Sequence, residues 1–221
     1  MAFLWLLSES DNDDAFYKAC VEQLTGKTLE LVSRRLRRGG GIAKWRRFSR
    51  LMLQQIQYSG YVEETFFLIA LDNDRSPVHP THERRPGLSN REQQKTCRFC
   101  EIDDVIQRIL GKRHEWKIPG AIAVPVEMLE SWLLLICDGE KYQREASLPP
   151  FARQDQKRAR DFYTPKKPPD QLKDLCDLEK QERGIDATLE FVAYCAGRLD
   201  PDDLAACAPS FALFKRQVDS W

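Results

Sequence analysis

No apolar stretch of this 221-residue chain approaches the roughly 20 residues that a membrane-spanning helix needs. The apolar start, Met1 to Leu7, lacks a basic leader and runs at once into acids, so it reads as a first strand rather than a signal peptide. Neither sign of charge predominates: 34 Lys and Arg balance 34 Asp and Glu, and no global field steers the chain toward nucleic acid. Seven cysteines, an odd number and mostly scattered through apolar helical patterns, do not make a disulfide framework. They point to a reducing cytoplasm as the compartment. Gly39-Gly40-Gly41 lacks the Lys-Ser or Lys-Thr of a nucleotide-binding P-loop, and no internal repeat or long low-complexity tract occurs. With 42% hydrophobic and 31% charged residues, what remains is a globular chain. It is long enough for one substantial core, or for an α/β domain with a smaller appendage.

What is present alternates. Phe3 to Leu7 predicts a strand, and from Asp13 onward Phe16, Cys20, Val21 and Leu24 fall at helical spacing, with Asn12 or Asp13 as the expected cap. Thr28 to Val32 reads as a second strand and Trp45 to Ile56 as a helix. Thr65 to Leu71 reads as a third strand, Ile102 to Leu110 as a helix, Gly120 to Val126 as a fourth strand and Glu127 to Cys137 as a helix. Strands alternating with helices predict an α/β fold whose four-stranded, mostly parallel sheet is flanked by helices. This domain spans 1–138 and is interrupted by an insertion at 75–100, whose Arg75 to Thr96 part is rich in Pro, Arg and Gln and has no periodicity. Residues 139–221 read as a helical appendage packed on it, with breaks at Pro149-Pro150, at Pro165 to Pro169 and at Gly184.

Asp72 and Asp74 leave the apolar run Thr65 to Leu71. Residues i and i+2 of a strand share a face, and a continuous apolar run fits a strand covered on both sides. Its carboxyl end lies where open α/β sheets bind ligands. Alone, the pair fits an ordinary polar turn equally well. Glu9 after the first strand, and Glu127 or Glu130 after the fourth, would share the same edge if the strands are parallel. Clustered carboxylates with no cationic neighbour imply a hard divalent ion, Mg²⁺ or Mn²⁺, and such sites commonly handle phosphate esters.

These residues resemble a known family. Glu9-Ser10-Asp11-Asn12-Asp13-Asp14-Ala15-Phe16 resembles the Glu-Gly-x-Thr-Asp-x-x-Phe opening of Toprim-superfamily domains, and Leu71-Asp72-Asn73-Asp74 their Asp-x-Asp motif. Glu130-Ser131-Trp132-Leu133-Leu134-Leu135 resembles a Glu-x-Trp-Leu-Leu segment of a small bacterial Toprim-like family found beside ABC-type or AAA-type ATPases in anti-phage loci and related to OLD-type nucleases. Pro165-Lys166-Lys167-Pro168 and Ser210-Phe211-Ala212-Leu213-Phe214 are similar to that family's helical tail. Ser10 departs from the usual glycine, and the insertion is not part of the Toprim core. The resemblance implies Glu9, Asp72 and Asp74 as catalytic residues. It also implies Glu9, Asp13, Asp72, Asp74 and Glu130 as the Mg²⁺ or Mn²⁺ set, with Glu130 equally explained by the helix dipole.

Two further patterns carry chemistry. His79-Pro80-Thr81-His82 and Cys97-Arg98-Phe99-Cys100 are two x₂-spaced pairs, the arithmetic of a tetrahedral zinc site; a structural Zn²⁺ would order an insertion that has no core of its own. The alternative is two surface histidines and two partly buried cysteines. Arg34, Arg35, Arg37, Arg38, Lys44, Arg46, Arg47 and Arg50 form a stretch without acids that could track a phosphate backbone, with Trp45 and Phe48 available for stacking; equally, it could be a solvated helix face. The leading expectation is a metal-dependent nuclease or nickase acting on DNA or RNA, including tRNA. It would work in a hetero-complex with a separately encoded ATPase or as a homo-oligomer. The rival is a catalytically silent Toprim-like adaptor that docks the ATPase or a phage trigger.

Overall fold

Strands β1 (Ala2–Ser8), β2 (Leu29–Arg35), β3 (Thr65–Ala70) and β4 (Gly120–Ala123) form one sheet in the order β2-β1-β3-β4, and every neighbouring pair is parallel. The computed structural model describes residues 2–35, 41–58, 64–73, 79, 97–126, 128–145, 148 and 168–221. Among these, helices α1 (Asp11–Thr25), α2 (Gly41–Tyr58) and α3 (Arg98–Leu110) lie between strands. They are followed by α4 (Glu130–Cys137), α5 (Gly139–Tyr142), α6 (Pro168–Glu182), α7 (Thr188–Arg198), α8 (Pro201–Cys207) and α9 (Pro209–Val218). No helix among the described residues is long and apolar enough to cross a membrane.

Alternate strand residues feed two separate cores. Leu4, Leu6, Phe66, Leu68, Ala121 and Ala123 join Phe16 and Val21 of α1, Trp132 to Leu135 of α4, and residues of the last four helices. Leu7, Phe67, Ile69 and Ile122 face the other way, against Trp45, Met52, Leu53 and Ile56 of α2 and Ile102 and Ile106 of α3. Covering on both faces is why β3 reads as an unbroken apolar run rather than an alternating one. Phe67 lies across its register partner Gly120; a Cβ there would sit 2.0 Å from the Phe67 ring, so this position of β4 admits only glycine.

The C-terminal helices share the first of these cores. Phe191, Val192, Cys195, Leu204, Phe211 and Phe214 belong to the same cluster as Leu4 and Leu6. Trp132 is the junction: its ring meets Phe211 edge-on at 5.1 Å and Tyr17 at 6.1 Å, and its indole N–H donates to Ser210 Oγ at 2.8 Å. The two sequence segments Glu130–Leu135 and Ser210–Phe214 thus meet directly. At the open side of β4, Gln217 of α9 takes the place of a further strand. Its side-chain amide donates to the Ile122 carbonyl at 3.0 Å and accepts from the Ile122 N–H at 3.1 Å.

Several element boundaries differ from expectation. β2 continues to Arg35, past the expected end at Val32, which places Arg34 and Arg35 on the strand. β4 stops at Ala123, because Pro125 has no N–H to continue a ladder. A tight turn in which the Met128 N–H donates to the Val126 carbonyl then delays α4 to Glu130. α1 is capped by Ser10, not by Asn12 or Asp13: Ser10 Oγ accepts from the Asp13 N–H at 3.2 Å. The serine that departs from the resembled motif is therefore the residue that starts the helix.

Candidate functional site

The chain steps from β1 to β2 in one direction and from β3 to β4 in the other, so β1 and β3 flank the point where the winding reverses. α1 packs on one face and α3 on the opposite face. The crevice outside the carboxyl ends of two such strands is where open α/β sheets bind ligands. Glu9 directly follows β1, and Asp72 lies two residues beyond β3.

Three acidic residues are linked there through backbone N–H groups. Glu9 Oε1 accepts from the Asp72 N–H at 3.3 Å, and Asp13 Oδ2 accepts from the Glu9 N–H at 3.1 Å. Burial pushes the Asp13 carboxyl up to about 6, against the pull of its hydrogen bonds from Ser10 and Glu9, and the charge of Glu130 adds to the rise. Glu130, in the first turn of α4, is itself raised by burial. Tyr17 follows Asp13 by one helical turn and is buried. Its hydroxyl is pushed well up by burial and then by the charges of Asp13, Asp72 and Glu9. Glu9, Asp13 and Asp72 are thus linked through backbone hydrogen bonds, with Glu130 in electrostatic contact with Asp13, but among the described residues their carboxylates are not gathered into a group placed to hold a metal ion; Asp74 and Glu127 lie outside the described residues.

Asp14 is committed elsewhere. It is buried and accepts from Ser8 Oγ at 2.5 Å, Ser33 Oγ at 2.6 Å and Arg35 Nε at 2.6 Å, tying α1 to the ends of β1 and β2. The Arg35 guanidinium also pairs with Asp11. Arg35 is therefore held by two acids of the fold. Arg34 donates to Gln55 Oε1 at 2.8 Å, and Arg46 reaches Glu101 of α3 at 3.4 Å. Lys44 is half-buried, Arg46 and Arg47 are exposed in the first two turns of α2, and Arg37 and Arg38 lie outside the described residues. Trp45 does not serve as a stacking platform: it is 3% exposed, with Phe48 packed against the same core, because the apolar side of α2 is turned to the sheet.

A second cluster sits at the start of α3. That helix begins at Arg98, four residues earlier than expected, so Cys97 is its N-cap and Cys100 lies in its first turn. His79 Nδ1 is 3.8 Å from Cys97 Sγ and 3.4 Å from Cys100 Sγ, and the three ligand atoms all lie within 4.8 Å of one another. A tetrahedral zinc with Zn–S near 2.3 Å and Zn–N near 2.1 Å spaces sulfur and nitrogen by about 3.6 Å. The two observed distances bracket that value. One imidazole nitrogen carries a single lone pair or a single proton, so it cannot bond both sulfurs at once, and the arrangement is compatible with a shared metal ion. The His79 ring stacks on Phe99, with centroids 4.5 Å apart. His82, the fourth residue of the expected set, lies outside the described residues.

Tyr17, Asp14 and Asn73 are absent from the sequence-derived set. Tyr17 had a legible signal, since it stands four residues from Asp13 on one helix face. The partners of Asp14 come from two different strands and left none. Asn73, 4% exposed, lines a small cavity together with His79 and Phe99. No family model, curated protein or solved structure matches the chain.

Proposed function

We propose that this chain is a Toprim-like, divalent-metal-dependent nuclease subunit that cleaves a phosphodiester. The observation that carries the reading is the run of backbone hydrogen bonds that links the acidic residues Asp13, Glu9 and Asp72 at the β1/β3 switch point. The donor set suits a hard cation: it is all oxygen, and Asp13 is held up to about 6 by burial, so its anion gains most from a positive neighbour. Asp13 and Asp72 would hold Mg²⁺ or Mn²⁺, with Asp74 and Glu130 completing the set implied by the resemblance. When bound, the ion supplies charge neutralisation at the scissile phosphate. Glu9, exposed at the mouth of the crevice, accepts the proton of the attacking water, and Tyr17 backs Asp13 from the helix interior.

Nucleic acid would be held by the basic stretch, Arg34 at the end of β2 and Lys44, Arg46 and Arg47 in the first two turns of α2. The separately encoded ATPase partner follows from the resemblance. His79, Cys97 and Cys100 are proposed as ligands of a structural zinc, whose thiolates are favoured by the amides and dipole at the start of α3.

The test is cleavage of tRNA, plasmid and linear DNA with Mg²⁺ or Mn²⁺. Cleavage should be lost in Asp72→Ala with an unchanged circular dichroism spectrum and melting temperature. Undiminished cleavage by that variant overturns the assignment; absence of cleavage by the parent chain under all conditions, with the ATPase present, favours the silent adaptor.

A further inference from the structure

We propose that β2 is a homodimerisation strand: two copies of this chain pair their β2 edges antiparallel about a two-fold axis at Val32, joining two four-stranded sheets into one of eight. The inference does not rest on the acidic crevice or on nuclease activity.

β2 stands at one end of the sheet, and among the described strands only β1 pairs with it. Its seven residues keep an unbroken register, from Leu29 opposite Ala2 to Arg35 opposite Ser8. Outside that ladder, the one β2 backbone group with a partner among the described residues is the Leu29 N–H, which donates to Glu22 Oε1 at 2.8 Å. An edge strand presents a row of unpaired N–H and C=O groups, and natural edges are commonly blunted by Pro, by Lys or by a bulge. Leu29-Glu30-Leu31-Val32-Ser33-Arg34-Arg35 contains neither residue, and its register with β1 has no bulge.

The strand carries its own complement. Val32 and Arg34 are the register partners of Trp5 and Leu7, which belong to the core on the α2 side, so Glu30, Val32 and Arg34 share that face. Glu30 and Arg34 are exposed, and the half-buried Val32 packs against neither core. A two-fold axis normal to the sheet keeps like faces together, so residues opposite one another share a face and slips of one residue are excluded. Centring on Val32 sets Glu30 of each copy opposite Arg34 of the other, and Val32 opposite Val32. Centring on Leu31 or on Ser33 instead sets Val32 opposite Glu30 or opposite Arg34, and the strand's single acid loses its base. Arg34 already donates to Gln55 Oε1 at 2.8 Å, but its guanidinium has donors enough to meet a carboxylate as well. On the other face Arg35 is held by Asp11 and Asp14 of its own chain, so it brings no uncompensated charge to the pair. Cross-strand charge pairs are individually weak. They set register and choice of partner, while the backbone ladder and the burial of Val32 supply the attraction.

Sedimentation velocity of the full chain over a concentration series reads the association. The parent should dimerise reversibly. Glu30→Arg places Arg against Arg twice across the axis, and Arg34→Glu places Glu against Glu twice. Each alone should raise the dissociation constant about tenfold or more, with the circular dichroism spectrum and melting of the parent. Mixing the two variants sets Arg against Glu at both positions, so the mixture should regain a dimer of parent-like affinity. If either variant misfolds, disulfide trapping decides: Val32→Cys should give a covalent dimer on a non-reducing gel under mild oxidation that leaves the parent monomeric. A parent that sediments as a monomer throughout overturns the proposal. So does a dimer that both charge reversals leave intact, or one lost in both and not regained in the mixture.

Discussion

Asp13 shows how one side chain serves the fold and the site at opposing energies. Its backbone N–H is capped by Ser10 and its carboxylate reaches back to the Glu9 N–H, which stabilises the start of α1. Yet burial raises its pKa from 3.8 to about 6. A carboxyl whose folded value exceeds its unfolded value contributes stability that is complete below the unfolded pKa and is lost as pH rises through the folded one. At pH 7 the ionised group therefore costs stability, by roughly 2 to 3 kcal/mol at one pKa unit per 1.36 kcal/mol. Asp13→Asn keeps the accepting oxygen and removes the charge. Urea denaturation of the metal-free chain should show the variant more stable than the parent at pH 7, by about 1 to 2 kcal/mol, with the advantage gone at pH 4. Equal stabilities at pH 7 would refute it. The carboxylates of this site were legible because Asp and Glu after apolar runs stand out. Asn73 was not, because an asparagine in a turn looks the same whether or not it faces a site.

At the scale of elements, the informative differences lie at ends. The early start of α3 recruits Cys97 and Cys100 to a helix N-terminus, and the extension of β2 delivers Arg35 to Asp14 and Asp11. Ends are decided by one or two hydrogen bonds and so carry weak periodic signals. In the helical layer, burial pushes Glu179 up, but hydrogen bonds from Lys141 and Tyr142 and the charge of Arg183 outweigh it and hold the carboxyl down at about 2. This pairing fastens α5 to α6. The outer backbone of the edge strand β4 is hydrogen-bonded at Ile122 by Gln217, which is 7% exposed. Gln217→Leu preserves bulk but leaves the Ile122 N–H and carbonyl without this partner. Leaving buried polar groups unsatisfied costs about 1 to 3 kcal/mol each. The variant should unfold at a measurably lower urea midpoint, with faster hydrogen exchange at the Ile122 amide. Parent-like exchange at that amide would show that the edge is protected by something else.

For the molecule as a whole, one sheet is clad on both faces, and one cladding layer is built largely from residues 168–221. Trp132, Phe211 and Phe214 pack together beneath it, and removing an aromatic of this kind costs about 3 to 5 kcal/mol. A chain ending at residue 187 loses Phe191, Phe211 and Phe214 at once. It should show no cooperative thermal transition, whereas the full chain should melt in one step; a truncated chain that still melts cooperatively would mean that the α/β part stands alone. The alternation of strands and helices, the parallel character of the sheet, and the acidic, His/Cys and basic residue groups follow from the sequence by itself. Each is a local property: periodicity over a few residues, or residue types at fixed spacing. The tertiary structure alone decided that the winding reverses between β1 and β3, so that Glu9 and Asp72 meet. It also decided that Arg35 is spent on Asp14 and Trp45 on the core, and that Asn73 and His79 line one small cavity. Those outcomes depend on strand order and on pairings between residues far apart in the chain, where many partners compete and only the lowest-energy packing of the whole selects among them.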